Sequence, residues 1–395
     1  MPDHSTTHMH VCVLFYNLGG YHLARLQAAK KACDERGWKF SAIQIAGQTS
    51  EHPWGEMAMP DYVSTLSSHQ AGNNPSLADP LQLTRALDQL RPTVLAIPGW
   101  GFDFARTALR WCSRNRCFRI LMSESKYDDE PRHWFKELAK RFLAVRKFDA
   151  ALVGGSKHED YLVRLGFPRS KIFRGYDVVN NDYFRNSAQG FLDQGSGAVP
   201  ECVRGRKYLL AANRFIERKN LGRLIDGFNS AVSNNSTESA QWDLVLLGGG
   251  ELEHQLRAQV TSLGLSERVH FPGFVGYQEI PRWYAFASAF VHPAVSEQWG
   301  LVVNEAMASG LPILLSRTCG CYPELLQEGV NGYSFDPRET AQIAAAITQI
   351  MNGMPTARQH SLEIILRFDP STFGEGLIAA VDCGLKSPLG DKLLS

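Results

Sequence analysis

What most constrains this chain is a rhythm of short apolar runs alternating with amphipathic stretches, and the rhythm runs through the sequence twice. In the first round, strand-like runs stand at Val11–Tyr16, Lys39–Ile45, Thr93–Ile97, Phe118–Met122 and Ala150–Val153. Stretches of helical period separate them at His22–Arg36, Leu81–Leu90, Asp103–Arg114 and Pro131–Lys147. Residues 46–80 are rich in Pro, Gly, Ser and Asn and read as an irregular excursion. Between Asn186 and Arg206 the rhythm fails in a run of Gly, Gln and Ser, which reads as a linker. It then restarts with strands Tyr208–Ala212, Asp243–Leu247, Val269–Phe271, Ala289–Val291 and Ile313–Leu315. Helices Asn220–Val232, Glu251–Leu263 and Glu279–Phe286 fall between them. Strands spaced by helices of this length form a parallel sheet covered on both faces. At 395 residues the chain is long for one core. The expectation is an α/β protein with two Rossmann-like doubly wound domains, over residues 1–190 and 207–369, joined by a linker at 191–206.

The stretch His292 to Leu315, HPAVSEQWGLVVNEAMASGLPILL, organises the second round. Pro293 stops a strand, a short loop carries Glu297, and a helix is predicted from Gly300 to about Ser309, ended by Gly310 and Pro312. Glu305 then sits about one turn inside that helix. Both carboxylates are expected to face the cleft at the strand end, beside helix-terminal amides that favour an anion. A carboxylate accepts two hydroxyls at once, which suits a sugar diol, while the amides take a phosphate. Read without their surroundings, they are a solvated glutamate and a helix-face glutamate with no joint role.

The surroundings add a resemblance. The pattern E-x7-E, with Trp299-Gly300 after the first Glu and Ala306-Met307-Ala308-Ser309-Gly310-Leu311-Pro312 after the second, resembles the family 4 (group 1) glycosyltransferases. Those are retaining enzymes of the GT-B architecture. The resemblance implies two Rossmann-like domains facing across a cleft, with the C-terminal helix (370–395) crossing back to the N-terminal domain. It also implies a sugar moved from a nucleoside diphosphate donor to an acceptor hydroxyl, in glycan, polysaccharide or glycolipid biosynthesis. Glu305 is then expected on the nucleotide ribose, Glu297 on donor sugar hydroxyls, and Gly300, Leu301 and Val302 along the donor at the helix start.

Further motifs fit that scheme. Asn213 to Asn220, NRFIERKN, lies between a strand end and a helix start, where open α/β sheets bind ligands. The spacing R-x4-K-N resembles the family's diphosphate clamp, so Arg214 and Lys219 are its expected cations and Arg218 a bystander. Gly248-Gly249-Gly250 resembles a Gly-rich turn near the nucleotide, although tight strand-to-helix turns use Gly routinely. Glu251 reads as a first-turn partner of the helix dipole. Cys319-Gly320-Cys321 before Pro323-Glu324 departs from the family's Gly-Gly form. Gly19-Gly20 lacks the third glycine of a dinucleotide fingerprint, and Lys39–Ile45 ends without a ribose-binding acid. The resemblance instead places that turn beside acceptor and donor, with His22 either a contact or an ordinary helix-start histidine. Where many relatives carry a histidine after the fourth strand, this chain has Ser123-Glu124-Ser125-Lys126. Either Glu124 takes that place or the role is absent. Asp128-Asp129 suggests a metal motif, but the resemblance neutralises the leaving diphosphate with cations, so no metal or other cofactor is expected. The donor is expected to be a UDP- or GDP-sugar, its base read near Phe271–Tyr277 by backbone and stacking. The acceptor, whether saccharide, lipid-linked saccharide or small molecule, leaves no trace. A non-catalytic nucleotide-sugar binder and a glycoside hydrolase using the two glutamates stay as rivals. A phosphorylase would need a pyridoxal phosphate lysine that no motif supplies.

Composition narrows the partners. With 41 basic and 40 acidic residues there is no cationic excess for nucleic acid. Eight scattered cysteines lack zinc-site spacing and read as free thiols of a reducing compartment. No apolar run approaches the roughly 18 residues of a membrane span, so a cytoplasmic protein is expected. One segment leaves a peripheral contact with the inner membrane face open. In Pro131–Lys147, Trp134, Phe135, Leu138, Phe142 and Val145 form an apolar stripe crowded by Lys136, Lys140, Arg141, Arg146 and Lys147. That is either a basic amphipathic helix for an anionic membrane or, the plainer reading, a surface helix packed by its stripe on the sheet.

Overall fold

The computed structural model describes residues 9–49, 58–71, 80–129, 132–233 and 241–386. The chain divides into two compact units, one of Met1–Val179 with Asp369–Ser395 and the other of Asn180–Phe368. Unit 1 holds the strands β1 (His10–Phe15), β2 (Lys39–Thr49), β3 (Val63–Ala71), β4 (Val94–Pro98), β5 (Phe118–Ser123), β6 (Ala150–Val153) and β7 (Ile172–Arg174). Its helices are α1 (Gly20–Glu35), α2 (Pro80–Leu90), α3 (Asp103–Asn115), α4 (Trp134–Leu143) and α5 (Ser156–Arg164), with a last one described below. The strands form one sheet in the order β3-β2-β1-β4-β5-β6-β7, each pair parallel. β1 and β6 are buried along their whole length, which is why they read as unbroken apolar runs rather than alternating ones.

Unit 2 begins with α6 (Asn181–Asp193) and continues with β8 (Lys207–Ala212), α7 (Leu221–Ser233), β9 (Trp242–Leu247), α8 (Glu253–Ser262) and β10 (Val269–Gly273). Then come α9 (Ile280–Phe286), β11 (Ala289–His292), α10 (Leu301–Ala308), β12 (Ile313–Ser316), α11 (Tyr322–Leu325) and β13 (Gly332–Phe335). α12 (Thr340–Met351) and α13 (Ala357–Ile365) complete it. The sheet order is β10-β9-β8-β11-β12-β13, again all parallel. Both sheets thus share the order 3-2-1-4-5-6 of a dinucleotide-type fold, in which the winding reverses beside the first strand. The two Rossmann-like domains expected from the sequence are present.

Four expectations change in detail. Part of the 46–80 excursion is regular: β2 runs on to Thr49, and Val63–Ala71 pairs parallel to it from Ala42↔Val63 onward. Residues 50–57 and 72–79 of that segment lie outside the described residues. The unit boundary falls after Val179, because α6 packs in unit 2, where the Asn181 side chain donates to the Ile365 carbonyl at 2.9 Å. The Gly-rich run then coils into two short 3-10 turns, Gly195–Ala198 and Glu201–Val203. The terminal helix α14 (Pro370–Leu385) belongs to unit 1. A side chain on Gly376 would meet the Arg174 carbonyl at 2.2 Å, so the helix lies directly against the end of β7. Residues 387–395 of that predicted segment lie outside the described residues.

The fourth change concerns α4, which spans Trp134–Leu143, with Val145–Lys147 as a separate turn and Pro131 outside the described residues. Its apolar stripe does not pack on the sheet. Trp134, Phe135, Leu138 and Phe142 are exposed, and Val145 alone of the predicted stripe is buried. None of the eight cysteines is paired. Among the described residues no helix is long and apolar enough to cross a membrane.

Candidate functional site

In unit 2 the winding reverses between β8 and β11, and the loops leaving those two strands carry the candidate residues. After β8 the chain runs through Asn213, Arg214, Phe215 and Ile216 into a 3-10 turn at Glu217–Lys219. Asn220 then takes a left-handed conformation (φ 58°), its amide donating to the Pro293 carbonyl at 3.1 Å and the Pro337 carbonyl at 2.7 Å. Those bonds hold the loop after β8 against the loop after β11, as does the Val295 amide, which donates to the Arg218 carbonyl at 2.9 Å. As a result Lys219 and Glu297, far apart in sequence, form an ion pair.

Glu297 is held from a second side. The Nε2 of His292, at the end of β11, lies 3.0 Å from the same carboxylate oxygen. Burial lowers the pKa of His292, so the ring is neutral and its Nε2–H donates. Burial alone would raise the Glu297 pKa, but the His292 bond and the Lys219 charge outweigh it, and the carboxyl is held well below its ordinary range. Gly300 makes room for this triad. Its φ of 106° disfavours any side chain, and a Cβ there would sit 3.4 Å from Glu297 Cγ and 3.6 Å from His292 Nε2. Leu301 and Val302 follow in the first turn of α10, whose leading amides have no intrahelical partner.

Polar groups around the triad remain open. Arg214 is exposed, and its side chain forms no hydrogen bond or ion pair among the described residues. Asn213 is buried, yet neither of its side-chain polar atoms has a hydrogen-bond partner among the described residues, and nor does His292 Nδ1. Buried polar atoms are rarely left so. Asn213 and His292 both lie inside sequence motifs that by themselves assign neither a role. Position was the one available signal: each stands at the carboxyl end of a strand beside the reversal.

Glu305 does not share an open face with Glu297. It is 1% exposed, and its carboxylate accepts from the Tyr284 hydroxyl at 2.6 Å. Tyr284 comes from α9 and is itself enclosed by Phe184 and Phe290. Burial drives the Glu305 carboxyl well above its ordinary pKa. Helical spacing placed this residue one turn into α10 but could not show which neighbour lay behind it.

The glycine turn after β9 also has a local reason. A Cβ on Gly248 (φ 122°) would meet the Asn213 carbonyl at 1.9 Å, so this glycine lets the loops after β8 and β9 touch each other. Gly249 accepts from the Phe215 amide through its carbonyl at 2.8 Å. α8 starts at Glu253, which, instead of Glu251, is the first-turn acid, and it pairs with Arg257 at 2.8 Å. In the segment expected near the base, Tyr277 is stacked on Tyr183 at 4.7 Å and Phe274 is exposed. Cys319 and Cys321 are buried, and the Cys321 amide donates to the Trp299 carbonyl at 3.3 Å.

The remaining candidates lie in unit 1. Gly19 caps α1 after β1, where this sheet too reverses, and Gly20 opens the helix. The Gly19 amide donates to His22 Nδ1 at 3.1 Å, and the ring packs edge-on against Phe15. Glu124 follows β5, and its charge acts on Asp177, which is buried. Burial, with Glu124 adding to it, drives Asp177 well above its ordinary pKa although Arg25 lies 3.7 Å away. Asp128 and Asp129 are both engaged by the buried Lys126, at 3.0 Å each. Among the described residues no group of three or more His, Cys, Asp or Glu is placed to hold a metal ion.

Comparison with known proteins agrees with this geometry. Residues 200–362 match the family model described as Glycosyl transferases group 1. An uncharacterized glycosyltransferase of Methanocaldococcus jannaschii is 28% identical over 146 residues, 37% of this chain and 36% of that one. Mannosylfructose-phosphate synthase of Agrobacterium fabrum is 34% identical over 140 residues, 32% of this chain and 30% of that one. The chain therefore spans about a third of the length of these curated relatives. Among solved structures, Anabaena HepE in complex with UDP and glucose aligns over 95% of this chain and 100% of that one, with a TM-score of 0.68 and 18% identity. The fold is the GT-B architecture, and residues 200–362, the part that matches the group 1 glycosyltransferase model, carry the Lys219–Glu297–His292 triad.

Proposed function

We propose that the protein is a retaining glycosyltransferase that moves a sugar from a nucleoside diphosphate sugar to an acceptor hydroxyl. The observation that carries this is the group of open polar atoms at the β8/β11 reversal: Asn213, His292 Nδ1 and the exposed, unpaired Arg214, all beside the Lys219–Glu297 pair. A diphosphate supplies negative oxygens to Arg214 and to the remaining donors of Lys219, and sugar hydroxyls supply donors for Glu297 and His292 Nδ1. Lys219 keeps donors to spare, since an ammonium has three. Leaving-group charge grows as the glycosidic bond breaks, so these cations act most strongly in the transition state. With the charge met this way no metal is called on. Glu305 takes the ribose diol, with the Tyr284 hydroxyl fixing the carboxyl's orientation, and Gly248, Gly249, Leu301 and Val302 border the donor. By the family resemblance the Gly19-Gly20 turn borders acceptor and donor diphosphate, and Glu124 takes the place of a polar contact to the sugar.

HepE, with its bound UDP and glucose, supports a nucleoside diphosphate sugar, UDP- or GDP-linked, as donor. The test is a panel of nucleotide sugars offered to the pure protein, read by mass spectrometry for free nucleoside diphosphate and for anomeric configuration by NMR. Lys219→Ala should lower the single-turnover rate by about 10²–10³-fold, weaken donor binding much less, and leave the response to EDTA unchanged. Loss of donor affinity alone, or a wild type stopped by EDTA, contradicts the clamp. An inverted product contradicts retention.

A further inference from the structure

α4 is built the wrong way round for a surface helix. At about 100° per residue, Glu137, Lys140, Arg141 and Ala144 share one side and Trp134, Leu138, Phe142 and Phe135 the other. The polar side is the one turned inward. Glu137 accepts from the Tyr161 hydroxyl of α5 at 2.8 Å and from Lys140 at 3.0 Å, and Arg132 lies over the Tyr161 ring at 4.6 Å. These bonds fix the helix to α5 by its charges and leave the apolar side in water, with Trp134 79% and Phe135 54% exposed. Apolar surface on a soluble chain is ordinarily scattered, whereas here it fills one helix face.

Cations ring that face. Arg146 lies over the outward Phe142 ring at 4.8 Å and Arg141 at 5.7 Å, while exposed Lys147 continues the rim. Arg164 lies at 4.6 Å over Tyr127, a further exposed aromatic. The one acid on the helix, Glu137, is turned inward and already neutralised by Lys140, with Arg132 at 3.7 Å.

We propose that the outward face of α4 docks on an anionic lipid bilayer. Trp and Phe bury their apolar bodies at the headgroup boundary, and the Arg and Lys rim meets lipid phosphates. Charge decides against a second copy of the chain as occupant, because a two-fold contact through this face would set one cationic rim against another. The inference goes beyond the transfer reading and does not depend on it.

The experiment is flotation of the full chain with vesicles of phosphatidylcholine, and of phosphatidylcholine mixed with phosphatidylglycerol, at low and high salt. Binding should require the anionic lipid and weaken with salt. Arg146→Gln should lower the partition roughly fivefold, the effect of one cation near the surface. Trp134→Ser with Phe142→Ser should abolish it while the melting curve stays that of the wild type, since both rings are exposed. Failure of the wild type to float, equal binding to both lipids, or undiminished binding by the double variant overturns the proposal. So does a concentration-dependent dimer that Trp134→Ser disperses without any flotation.

Discussion

The two units carry the same strand order and place carboxylates at the same end of the sheet, yet those carboxylates have opposite electrostatic fates. In unit 2 Glu297 meets Lys219 and a histidine N–H, and its pKa falls. In unit 1 Asp177 meets Glu124 in a buried place, and its pKa rises. The difference does not come from the fold, since both sites stand where open α/β sheets collect loops. It comes from what the neighbouring loops bring: the β8 loop delivers an ammonium, whereas the chain after β5 delivers a second acid. A shared architecture therefore yields one carboxyl held in its charged form by its neighbours and another pushed toward its protonated form.

Replacing an acid by its amide should act in opposite directions in the two units, and the larger effect belongs to unit 2. Glu297→Gln leaves Lys219 without its counter-ion. Breaking a buried pair costs about 3–5 kcal/mol, and because both side chains keep some exposure we expect about 2–3 kcal/mol here. The folded pKa of Glu297 is depressed, so its stabilisation is present above the ordinary carboxyl value of 4.5 and disappears as pH falls below it. The measurement is urea unfolding at pH 7 and pH 3.5, with amide exchange by mass spectrometry to localise the loss near β11. An equal deficit at both pH values would mean that the charge is not its source.

Asp177→Asn should do the reverse. The folded pKa of Asp177 is raised, so the wild type loses stability as pH rises above the ordinary value of 3.8 toward the folded one. An amide cannot ionise beside Glu124 and leaves Arg25 opposite a single charge, so the variant matches the wild type at pH 4 and exceeds it at pH 8. The gain should be about 1–2 kcal/mol, the scale of one imperfectly compensated buried group. A variant less stable than wild type at pH 8 would show that the Arg25 contact outweighs the carboxyl repulsion, and would remove the contrast between the units.

Much of this was legible in the sequence where the signal is local. The two sheets follow from apolar runs bounded by Gly and Pro, and so do the strand-end loops that carry Arg214, Lys219 and Glu297. What the sequence hid is mostly sidedness and long-range partnership. The stripe on α4 has the period of a packed helix, and periodicity cannot say that Glu137 and Tyr161 would claim the inner face. β3 is mostly polar and lies between Gly- and Pro-containing stretches, so its pairing with β2 leaves no periodic trace. Glu305 was placed at the right turn of the right helix, but its enclosure by Tyr284 depends on how α9 packs. The Gly248 turn resembled a ligand cradle, while its close contact is with the Asn213 carbonyl. No spacing rule joins Glu124 to Asp177.

The smallest expected effect, and the sharpest test of how finely the two units differ, concerns their buried histidines. His10 in unit 1 has both ring nitrogens engaged, Nδ1 at 2.9 Å from the Leu90 carbonyl and Nε2 at 2.9 Å from Ser41 Oγ. His292 has one nitrogen on Glu297, and the other is without a partner among the described residues. Burial lowers the pKa of both below the ordinary 6.5. Below that value the unfolded chain binds protons the folded one refuses, so each histidine makes stability fall as pH drops from 6.5 toward the folded value. His292→Asn keeps an N–H for Glu297 and removes both the titration and the open nitrogen. At pH 7 its stability should lie within about 1 kcal/mol of wild type, the size of one neutral hydrogen bond. Between pH 6.5 and pH 5.5, however, the variant should lose less stability than wild type, with His10→Asn as the reference for a histidine whose two bonds are both broken. Melting temperatures at those three pH values decide it. If the acid loss is the same in His292→Asn and wild type, the ring is already protonated on Glu297 in the folded state, and the neutral donor assigned to it here is wrong.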